Sequence, residues 1–425
     1  MNLLIICPHF APDVAPTGEV MTSIVMQLVE RGHRIHVVAA LPWYREHRIE
    51  SGWDGRWVRQ EDTDWGRITR VHPFPTAKTN IPARAAAFGG FTTLAFGAAL
   101  PSRPAPDAVL AMSPPLTIGV AGWLVARARR APFVFNIQDI FPDVAVELGV
   151  LRNPRVIAAA ARLERFTYDR ADAVTVLSED LRDNVTAKLH GRAPQKVRVI
   201  PNFVDTRWIQ PAPRENDYRR EHGLEGKTVV MYAGNVGFSQ SLDLVVDAAV
   251  ALAHEPDLVF VIHGGGSARP DLERRAGGLP NVRFIDMQPK ARLPEVLAAA
   301  DIHLVPLRRG LARASVPSKL YSILAAGRPL VASVDPGTEV TRVLQQSGAG
   351  LAVPPDDAEQ FTKAIDRLVQ GPEEAVRMGA AGRAFVERWA SPAAIAVQYE
   401  ALFAELVERA AESPRGRNGG RGRSR

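Results

Sequence analysis

Residues 3–39 read LLIICPHFAPDVAPTGEVMTSIVMQLVERGHRIHVVA, and this stretch decides the fold class. Residues 3–7 form an apolar run typical of a buried strand. Apolar residues then recur every three or four positions through 18–31, which predicts an amphipathic helix that ends at Gly32. Residues 35–39 are the next strand. A strand, a helix and a second strand in this order are typical of a parallel sheet covered by helices.

The same alternation continues along the chain. Further strands are predicted at 68–71, 108–111, 133–137, 173–177 and 197–200, and then at 228–233, 259–263, 282–285, 302–305 and 330–334. Because helical patterns separate most of these runs and the chain has 425 residues, the sequence predicts an α/β protein of two doubly wound, Rossmann-like domains.

We predict the first domain over residues 1–205 and the second over 227–390. The polar segment 206–226 interrupts the alternation and is interpreted as the interdomain connection. An amphipathic stretch at 391–412 predicts a C-terminal helix that packs back on the first domain. Residues 413–425 are rich in Arg and Gly and predict a disordered tail.

Charge and cysteine content exclude several classes of function. The net charge is +6, but five arginines lie in residues 414–425, which leaves +1 for residues 1–413. A nearly neutral body argues against a nucleic-acid partner. The tail is either a solvated segment without function or a cluster attracted to anionic lipid. Cys7 is the only cysteine, which excludes an internal disulfide and favours an intracellular protein.

Residues 85–100 (AAAFGGFTTLAFGAAL) are the most membrane-like stretch. The stretch is shorter than the ~20 residues that a spanning helix needs. It is interpreted either as a helix on a membrane surface or as a buried helix. Since no signal-peptide pattern is visible, we expect a cytoplasmic protein. The first interpretation would add peripheral attachment to the inner face of the plasma membrane.

In doubly wound sheets, ligands bind at the carboxyl ends of the strands. Gly18 and Glu19 open the helix after the first strand, where Gly18 would let a ligand approach backbone N–H groups at the positive helix end, although helix capping also explains it. No GxGxxG pattern occurs there, so a nicotinamide dinucleotide is disfavoured. A later strand ends in Gln138 and Asp139, followed by Asp143. These side chains could bind substrate hydroxyls or transfer a proton, and Asp143 alone could instead cap a helix.

Two glycine-containing loops follow strands of the second domain. The first holds Gly234, Asn235, Gly237 and Gln240, and the second holds Gly264, Gly265 and Gly266. Glycine permits close approach of the backbone to a diphosphate or a sugar, whereas a tight turn is the alternative explanation. His263, just before the second loop, is interpreted as a packed histidine.

The segment 315–329 (SVPSKLYSILAAGRP) predicts a helix that begins near Pro317 and ends at Gly327. Lys319 then lies in the first turn, where the helix dipole disfavours a cation. An anion such as a nucleotide diphosphate would explain this cost, and a lysine extended into water is the alternative. After the next strand, Glu339 is expected either to accept hydrogen bonds from ligand hydroxyls or to cap a helix.

Together these segments resemble the family 4 glycosyltransferases of the GT-B fold, and most of all the bacterial colanic-acid and O-antigen fucosamine transferases. The resemblance rests on QDIFPD at 138–143, ELG at 147–149, IPNFVD at 200–205, YAGN at 232–235, PSKL at 317–320 and GRP at 327–329, in family order. It implies two domains facing a central cleft, a nucleotide sugar on the second, an acceptor on the first, no metal, and retention of the anomeric configuration.

The sequence departs from the family pattern at several positions. The family's pair of glutamates corresponds to Ala314 and Ser322, and its loop arginine and lysine correspond to Asn235 and Gln240. A common histidine corresponds to Gln138. Asn235 and Gln138 agree with the colanic-acid-like branch.

The sequence therefore predicts a glycosyltransferase of cell-envelope polysaccharide biosynthesis with a lipid-linked or saccharide acceptor and no separate cofactor. Lys319 would stabilise the leaving diphosphate, together with N–H groups near Ser318, Gly234 and Gly237, and Asp139 would steer the acceptor hydroxyl. The predicted donor contacts are Gly234, Asn235, Gly237, Gln240, Gly264, Gly265, Ser318, Lys319, Ser322 and Glu339. The predicted acceptor contacts are Gly18, Glu19, Gln138, Asp139 and Asp143. A nucleotide-sugar epimerase of the same fold and a non-catalytic partner subunit remain as alternatives.

Overall fold

The computed structural model describes residues 1–45, 48–76, 81–147, 151–237, 240–310 and 319–412. The chain forms two compact units, one made of Met1–Pro201 with the C-terminal segment from Ile395, and the other of Asn202–Ala394. Each unit has one sheet with surrounding helices, and neighbouring strands are parallel except for one antiparallel edge pair in the first unit. The predicted α/β class with two doubly wound domains is confirmed.

In the described part of the first unit, the sheet has the order β3-β4-β2-β1-β5-β6-β7-β8. Its strands are β1 (Asn2–Ile6), β2 (Arg34–Ala40), β3 (Val58–Thr63), β4 (Gly66–Val71), β5 (Ala108–Ser113), β6 (Phe133–Ile137), β7 (Ala173–Val176) and β8 (Val197–Val199). Its first helices are α1 (Pro16–Glu30), α2 (Ile81–Ala99), α3 (Ile118–Arg129), α4 (Asp143–Glu147), α5 (Pro154–Arg170) and α6 (Glu179–Lys188). The order reverses between β1 and β5, which is where doubly wound folds bind ligands.

The sheet of the second unit has the order β11-β10-β9-β12-β13-β14. Its strands are β9 (Thr228–Ala233), β10 (Leu258–His263), β11 (Val282–Ile285), β12 (Ile302–Pro306), β13 (Leu330–Ser333) and β14 (Gly350–Val353). Its helices are α7 (Asp217–Glu221), α8 (Asp243–Ala251), α9 (Arg269–Arg275), α10 (Leu293–Ala298), α11 (Lys319–Ala325), α12 (Glu339–Ser347), α13 (Ala358–Gln370) and α14 (Pro372–Trp389). Here the order reverses between β9 and β12.

The interpretation of 206–226 as a connection is wrong, because the structure places this segment inside the second unit. It contains α7, in which Arg219 is fully buried. The Arg219 guanidinium donates to Asp301 at 2.6 Å and to Glu215 at 2.8 Å. The polar composition of the segment thus reflects a buried ion-pair network rather than a solvated linker.

The last helix, α15 (Pro392–Glu412), contacts the first unit from Ile395 onward. The Asn136 side-chain amide of β6 donates to the Tyr399 hydroxyl at 2.8 Å. Glu400 accepts a hydrogen bond from Arg31 at 2.6 Å. These contacts attach the end of the described chain to β6 and to the end of α1 in the first unit.

Helix α2 contains the membrane-like stretch and packs on the core of the first unit. Ala87, Phe91, Ala95 and Ala99 are buried along it. This face of α2 is therefore buried in the core of the first unit, as the buried-helix interpretation expects. No helix in the described part of the chain combines the length and the apolar character needed to cross a bilayer.

Candidate active site

The carboxyl ends of β9 and β10 carry the two glycine loops of the second unit. Gly234 has φ of +142° and Gly264 has φ of +136°, conformations that favour glycine. A Cβ atom on Gly264 would lie 2.0 Å from the Gly234 carbonyl oxygen. The two loops are therefore in direct contact, beside the point where the strand order reverses.

Hydrogen bonds within the unit use the backbone N–H groups of two glycines in the first loop. The Gly234 N–H donates to the His263 carbonyl oxygen at 2.9 Å. The Gly237 N–H donates to Gln240 Oε1 at 3.1 Å. In this structure the N–H groups of Gly234 and Gly237 themselves donate within the unit, and Gln240 holds the loop in shape.

Further hydrogen bonds hold the two loops together, and Gly265 of the second loop faces open space. The Tyr232 hydroxyl donates to the Asn235 carbonyl oxygen at 2.6 Å, and the Val236 N–H donates to the Gly265 carbonyl oxygen at 2.9 Å. A Cβ atom on Gly265 would meet nothing within 4 Å. Among the described residues, the Gly265 N–H donates to no other group. Gly265 therefore presents an accessible backbone donor.

Lys319 is the first residue of α11 and lies against the first glycine loop. A Cβ atom on Gly234 would lie 2.8 Å from Lys319 Nζ. The ammonium group is 3.9 Å from the centroid of the Tyr232 ring, so it covers this ring instead of extending into water. Burial lowers the pKa of Lys319 to about 7, because a partly desolvated ammonium loses its hydration.

The remaining predicted donor residues lie on α11, on α12 or outside the described residues. Ser322 lies one helical turn after Lys319 on α11. Glu339 is the first residue of α12 and pairs with Arg342 at 3.1 Å. The N-cap of α12 is Thr338, so the capping interpretation of Glu339 is wrong. Ser318 and Ala314 lie outside the described residues.

His263 is packed, as the sequence predicts. Its ring is buried, and Nδ1 lies 3.0 Å from the Tyr218 hydroxyl. Burial lowers the pKa of His263 to about 4. The neutral imidazole is therefore a structural hydrogen-bonding group.

In the first unit, the loops after β1 and β6 border a cavity of about 380 Å³. Its walls are mainly aromatic and apolar, with a few polar side chains. The lining includes His9, Trp43, Tyr44, Phe74, Phe88 and Asp139. Partial desolvation raises the pKa of the Asp139 carboxyl group above its ordinary value. The predicted acceptor residue Asp139 thus lies in the wall of a cavity at the reversal point of the sheet.

His9 lines this cavity and pairs with Asp13, and the sequence analysis selects neither residue. His9 Nδ1 lies 2.6 Å from Asp13 Oδ2. Asp13 is only 2% exposed, and its other carboxylate oxygen accepts a hydrogen bond from the Tyr44 N–H at 3.2 Å. The available signal was local: a histidine and an aspartate four positions apart in the loop that follows the first strand.

The other predicted acceptor residues have structural roles in their surroundings. A Cβ atom on Gly18 would lie 2.8 Å from His9 Cβ, so this glycine permits α1 to pack against the loop. Glu19 is exposed on α1. Gln138 is buried, and its amide donates to Asn136 Oδ1 at 2.8 Å. Gln138 is thus directed into the core of the unit.

Asp143 is the first residue of α4 and binds a lysine of the same unit. Its carboxylate accepts hydrogen bonds from Lys188 Nζ at 2.9 Å and from Asn184 Nδ2 at 3.1 Å. Lys188 Nζ also donates to the buried Glu164 at 2.7 Å. The structure therefore brings Asp143 into an ion-pair network rather than into the cavity wall with Asp139.

The described residues contain no group of three His, Cys, Asp or Glu side chains that could hold a metal ion. The cation that the second unit offers to an anionic ligand is Lys319, and the first unit offers a carboxylate and a histidine–aspartate pair.

Comparison with known proteins identifies this architecture. Residues 17–202 match the family described as "Glycosyl transferase 4-like domain", and residues 227–371 match "Glycosyl transferases group 1". WcaI, named as a glycosyl transferase of colanic acid biosynthesis in Escherichia coli (strain K12), is 27% identical over 383 residues, which are 88% of this chain and 93% of WcaI.

Solved structures share the fold. Sucrose-phosphate synthase from Thermosynechococcus elongatus is 18% identical with a TM-score of 0.69, covering 96% of this chain and 100% of that one. Anabaena Alr3699/HepE in complex with UDP is 14% identical with a TM-score of 0.65 and the same coverage. The two matched domains, the long match to WcaI and the two doubly wound sheets establish that the chain is a GT-B glycosyltransferase of the colanic-acid and O-antigen type.

Proposed function

We propose that this glycosyltransferase takes its sugar from a nucleotide diphosphate sugar and retains the anomeric configuration. The second unit would bind the donor through its two glycine loops and Lys319. The first unit would bind the acceptor, a lipid-linked or saccharide precursor, in the cavity that Asp139 lines. Retention of configuration rests on the family resemblance, and the donor site rests on the geometry.

The position of Lys319 carries the proposal. Its ammonium group is half-buried beside Gly234, and within the described ranges no carboxylate lies at ion-pairing distance from it. A desolvated ammonium is unfavourable unless another group compensates it. A diphosphate would supply negative charge and charge-assisted hydrogen bonds at this place. The geometry therefore supports a phosphorylated donor rather than a neutral sugar.

The chemistry assigned to the site follows from where charge develops. Cleavage of the bond between the anomeric carbon and the diphosphate leaves negative charge on a phosphate oxygen. Lys319 would stabilise that charge, and the accessible N–H group of Gly265 would assist. Asp139 would orient the acceptor by accepting hydrogen bonds from its hydroxyl groups.

Nucleotide-dependent thermal stabilisation of the protein tests the donor site. We expect a nucleoside diphosphate among UDP, GDP, dTDP and ADP to raise the melting temperature, because a ligand that binds only the folded state stabilises it. In Lys319→Ala the affinity should fall about ten- to hundredfold, since a charge-assisted hydrogen bond contributes about 1.5–3 kcal/mol. Lys363→Ala is the matched control, because Lys363 is an exposed helical lysine paired with Glu359 at 2.6 Å.

Two results would reject the donor site. Either no nucleotide stabilises the wild-type protein, or Lys319→Ala binds the nucleotide as tightly as wild type and Lys363→Ala do. The Gly265→Ala variant examines the second loop separately. Its added methyl group meets no protein atom within 4 Å, so the unliganded melting temperature should be unchanged while nucleotide affinity falls.

A further inference from the structure

We propose that the outer surface of α2, α3 and α5 in the first unit binds the surface of an anionic lipid bilayer. We call this surface the basic face. It consists of the exposed side of α2 and of exposed arginines on and beside the three helices, namely Arg84, Arg103, Arg127, Arg162 and Arg170. The inference goes beyond the proposed function, because it concerns the surface to which the enzyme attaches and not its donor.

Charge is unevenly distributed in the first unit. Residues 65–138 contain eight arginine and lysine residues and a single carboxylate, Asp107, although residues 1–413 carry a net charge of only +1. Asp107 is engaged within the unit, where it accepts a hydrogen bond from the Asn2 N–H at 2.7 Å. The sequences of α2 and α3 contain no acidic residue. The near neutrality of the chain thus conceals a strongly basic region, which complements an anionic partner.

The three helices pack side by side, so their outer sides form one surface. Helix α3 contacts both α2 and α5. Thr92 Oγ1 of α2 lies 2.7 Å from Thr117 Oγ1 at the start of α3. Of the two acidic residues in α5, Glu164 is buried and pairs with Lys188 at 2.7 Å. Asp169 is therefore the one exposed carboxylate in the sequences of these helices, among several exposed arginines.

The exposed side of α2 is uncharged between its flanking arginines. No charged residue occurs from position 85 to position 102. The exposed residues follow one side of the helix, opposite the side that packs on the core, and include Ala86, Thr93, Gly97 and Leu100. A helix side in contact with water normally carries charged or strongly polar side chains. An apolar stripe between Arg84 and Arg103 is instead typical of a helix that lies in the interfacial region of a bilayer.

Aromatic and apolar side chains beside the arginines favour lipid over nucleic acid as the partner. Where α3 meets α5, the rings of Trp123 and Phe166 lie 5.2 Å apart, and the Arg170 guanidinium lies 5.2 Å from the centroid of the Trp123 ring. Tryptophan is enriched at bilayer interfaces. Leu100 and Leu124 are exposed nearby, on and after the two helices. Transfer of such apolar groups out of water stabilises binding to lipid, whereas contacts to nucleic acid are mainly polar.

Helix α2 also borders the acceptor cavity. Arg84, Ala87 and Phe88 are among the residues that line the cavity wall. An acceptor held in the bilayer would therefore reach the cavity beside the helix that contacts the lipid, a consequence that rests on the proposed function.

Sedimentation with lipid vesicles tests the basic face in the full-length chain, so that the tail contributes equally to every variant. The wild-type protein should bind vesicles of phosphatidylcholine and phosphatidylglycerol more tightly than vesicles of phosphatidylcholine alone, and salt should weaken the binding. Arg127→Gln and Arg162→Gln should each lower the partition coefficient about fivefold, the usual contribution of one basic side chain near an anionic surface. Arg377→Gln, at an exposed arginine of α14 in the second unit, should match wild type.

Gly97 tests the apolar stripe of α2 separately. A Cβ atom on Gly97 would meet no atom within 4 Å, so a side chain can be added there without a clash at Cβ. Gly97→Glu should lower the partition coefficient at least about fivefold, because it places a negative charge against anionic lipid. Gly97→Ala is the matched control and should bind the vesicles at least as tightly as wild type.

Wild-type vesicle binding by Gly97→Glu, or by the folded double variant of Arg127→Gln and Arg162→Gln, would overturn the proposal. Equal wild-type binding to neutral and anionic vesicles would also overturn it. So would binding of a single-stranded DNA oligonucleotide without binding of vesicles, which would assign the basic face to nucleic acid. Nucleotide-dependent thermal stabilisation should be the same in all these variants. A wild-type protein that binds vesicles but no nucleotide would reject the proposed donor site alone.

Discussion

The affinity for a nucleotide sugar should depend on pH through Lys319. Burial lowers the pKa of this lysine from its ordinary 10.5 to about 7 in the unliganded protein. Below that pH the side chain is already charged and ready to pair with a diphosphate. Above it the lysine is mostly neutral, and binding of the anion must draw a proton from solution because the bound diphosphate raises the lysine pKa.

The expected size of the pH effect on affinity follows from the Lys319 pKa of about 7. At about one pH unit above the pKa only about one tenth of the free protein carries the charge, so affinity should fall about tenfold, or about 1.4 kcal/mol, for each further pH unit. Below about pH 6 the affinity should be constant, because the lysine is then protonated in both states.

Isothermal titration calorimetry from about pH 6 to about pH 9, in buffers of different protonation enthalpy, measures both the affinity and the protons taken up. The ligand should be an intact nucleotide sugar, whose diphosphate is esterified at both ends and does not titrate in this range. Lys319→Arg is the matched control, since a guanidinium stays charged and should remove the dependence. A constant wild-type affinity, or the same slope in Lys319→Arg, would refute the reasoning.

Three further predictions concern the loops, metals and the tail. Gly264→Ala should lower the free energy of unfolding by ~2 kcal/mol or more, because φ is positive and the added Cβ would meet the Gly234 carbonyl oxygen at 2.0 Å. At Gly278 φ is also positive, but an added Cβ would meet no atom within 4 Å, so Gly278→Ala should lower the free energy of unfolding by about 1 kcal/mol. Equal losses for the two variants in denaturant-induced unfolding would contradict the contact between the loops. Sugar transfer should survive EDTA, because the described residues offer no metal-binding cluster; loss restored by a divalent ion would overturn this mechanism. Deletion of residues 414–425 should weaken salt-sensitive binding to anionic vesicles, measured by sedimentation, and equal binding of both forms would exclude the tail.

The sequence predicts most strands because buried parallel strands are continuous apolar runs. It does not predict β3, whose residues VRQEDT are polar and pair antiparallel with β4 at the edge of the sheet. The short β14 (GLAV) is missed as well, since a strand of this length has little pattern of its own. Apolar periodicity thus detects the centre of a sheet better than its edges.

The glycine loops and Lys319 can be found in the sequence because their chemistry is local. The hydrogen bond from the Gly234 N–H to the His263 carbonyl oxygen cannot be found in this way, since it depends on contact between β9 and β10. The ion pair of Asp143 cannot be found in the sequence for the same reason, because its partner Lys188 lies far along the chain. His9 and Asp13 show the opposite case, a local signal that becomes meaningful only when the cavity is known.

Buried cations in this protein also show when burial indicates a ligand. Arg219 is fully buried, but Asp301 and two carbonyl oxygens accept its hydrogen bonds, so its role is structural. Arg70 is likewise buried and pairs with Glu61 at 3.0 Å. The Lys319 ammonium group lies over the face of the Tyr232 ring, a cation–π interaction of about 0.5–2 kcal/mol. Within the described ranges no carboxylate pairs with it. Since that interaction compensates only part of the desolvation of an ammonium, the lysine without an acidic partner is the cation for which an external anion is expected.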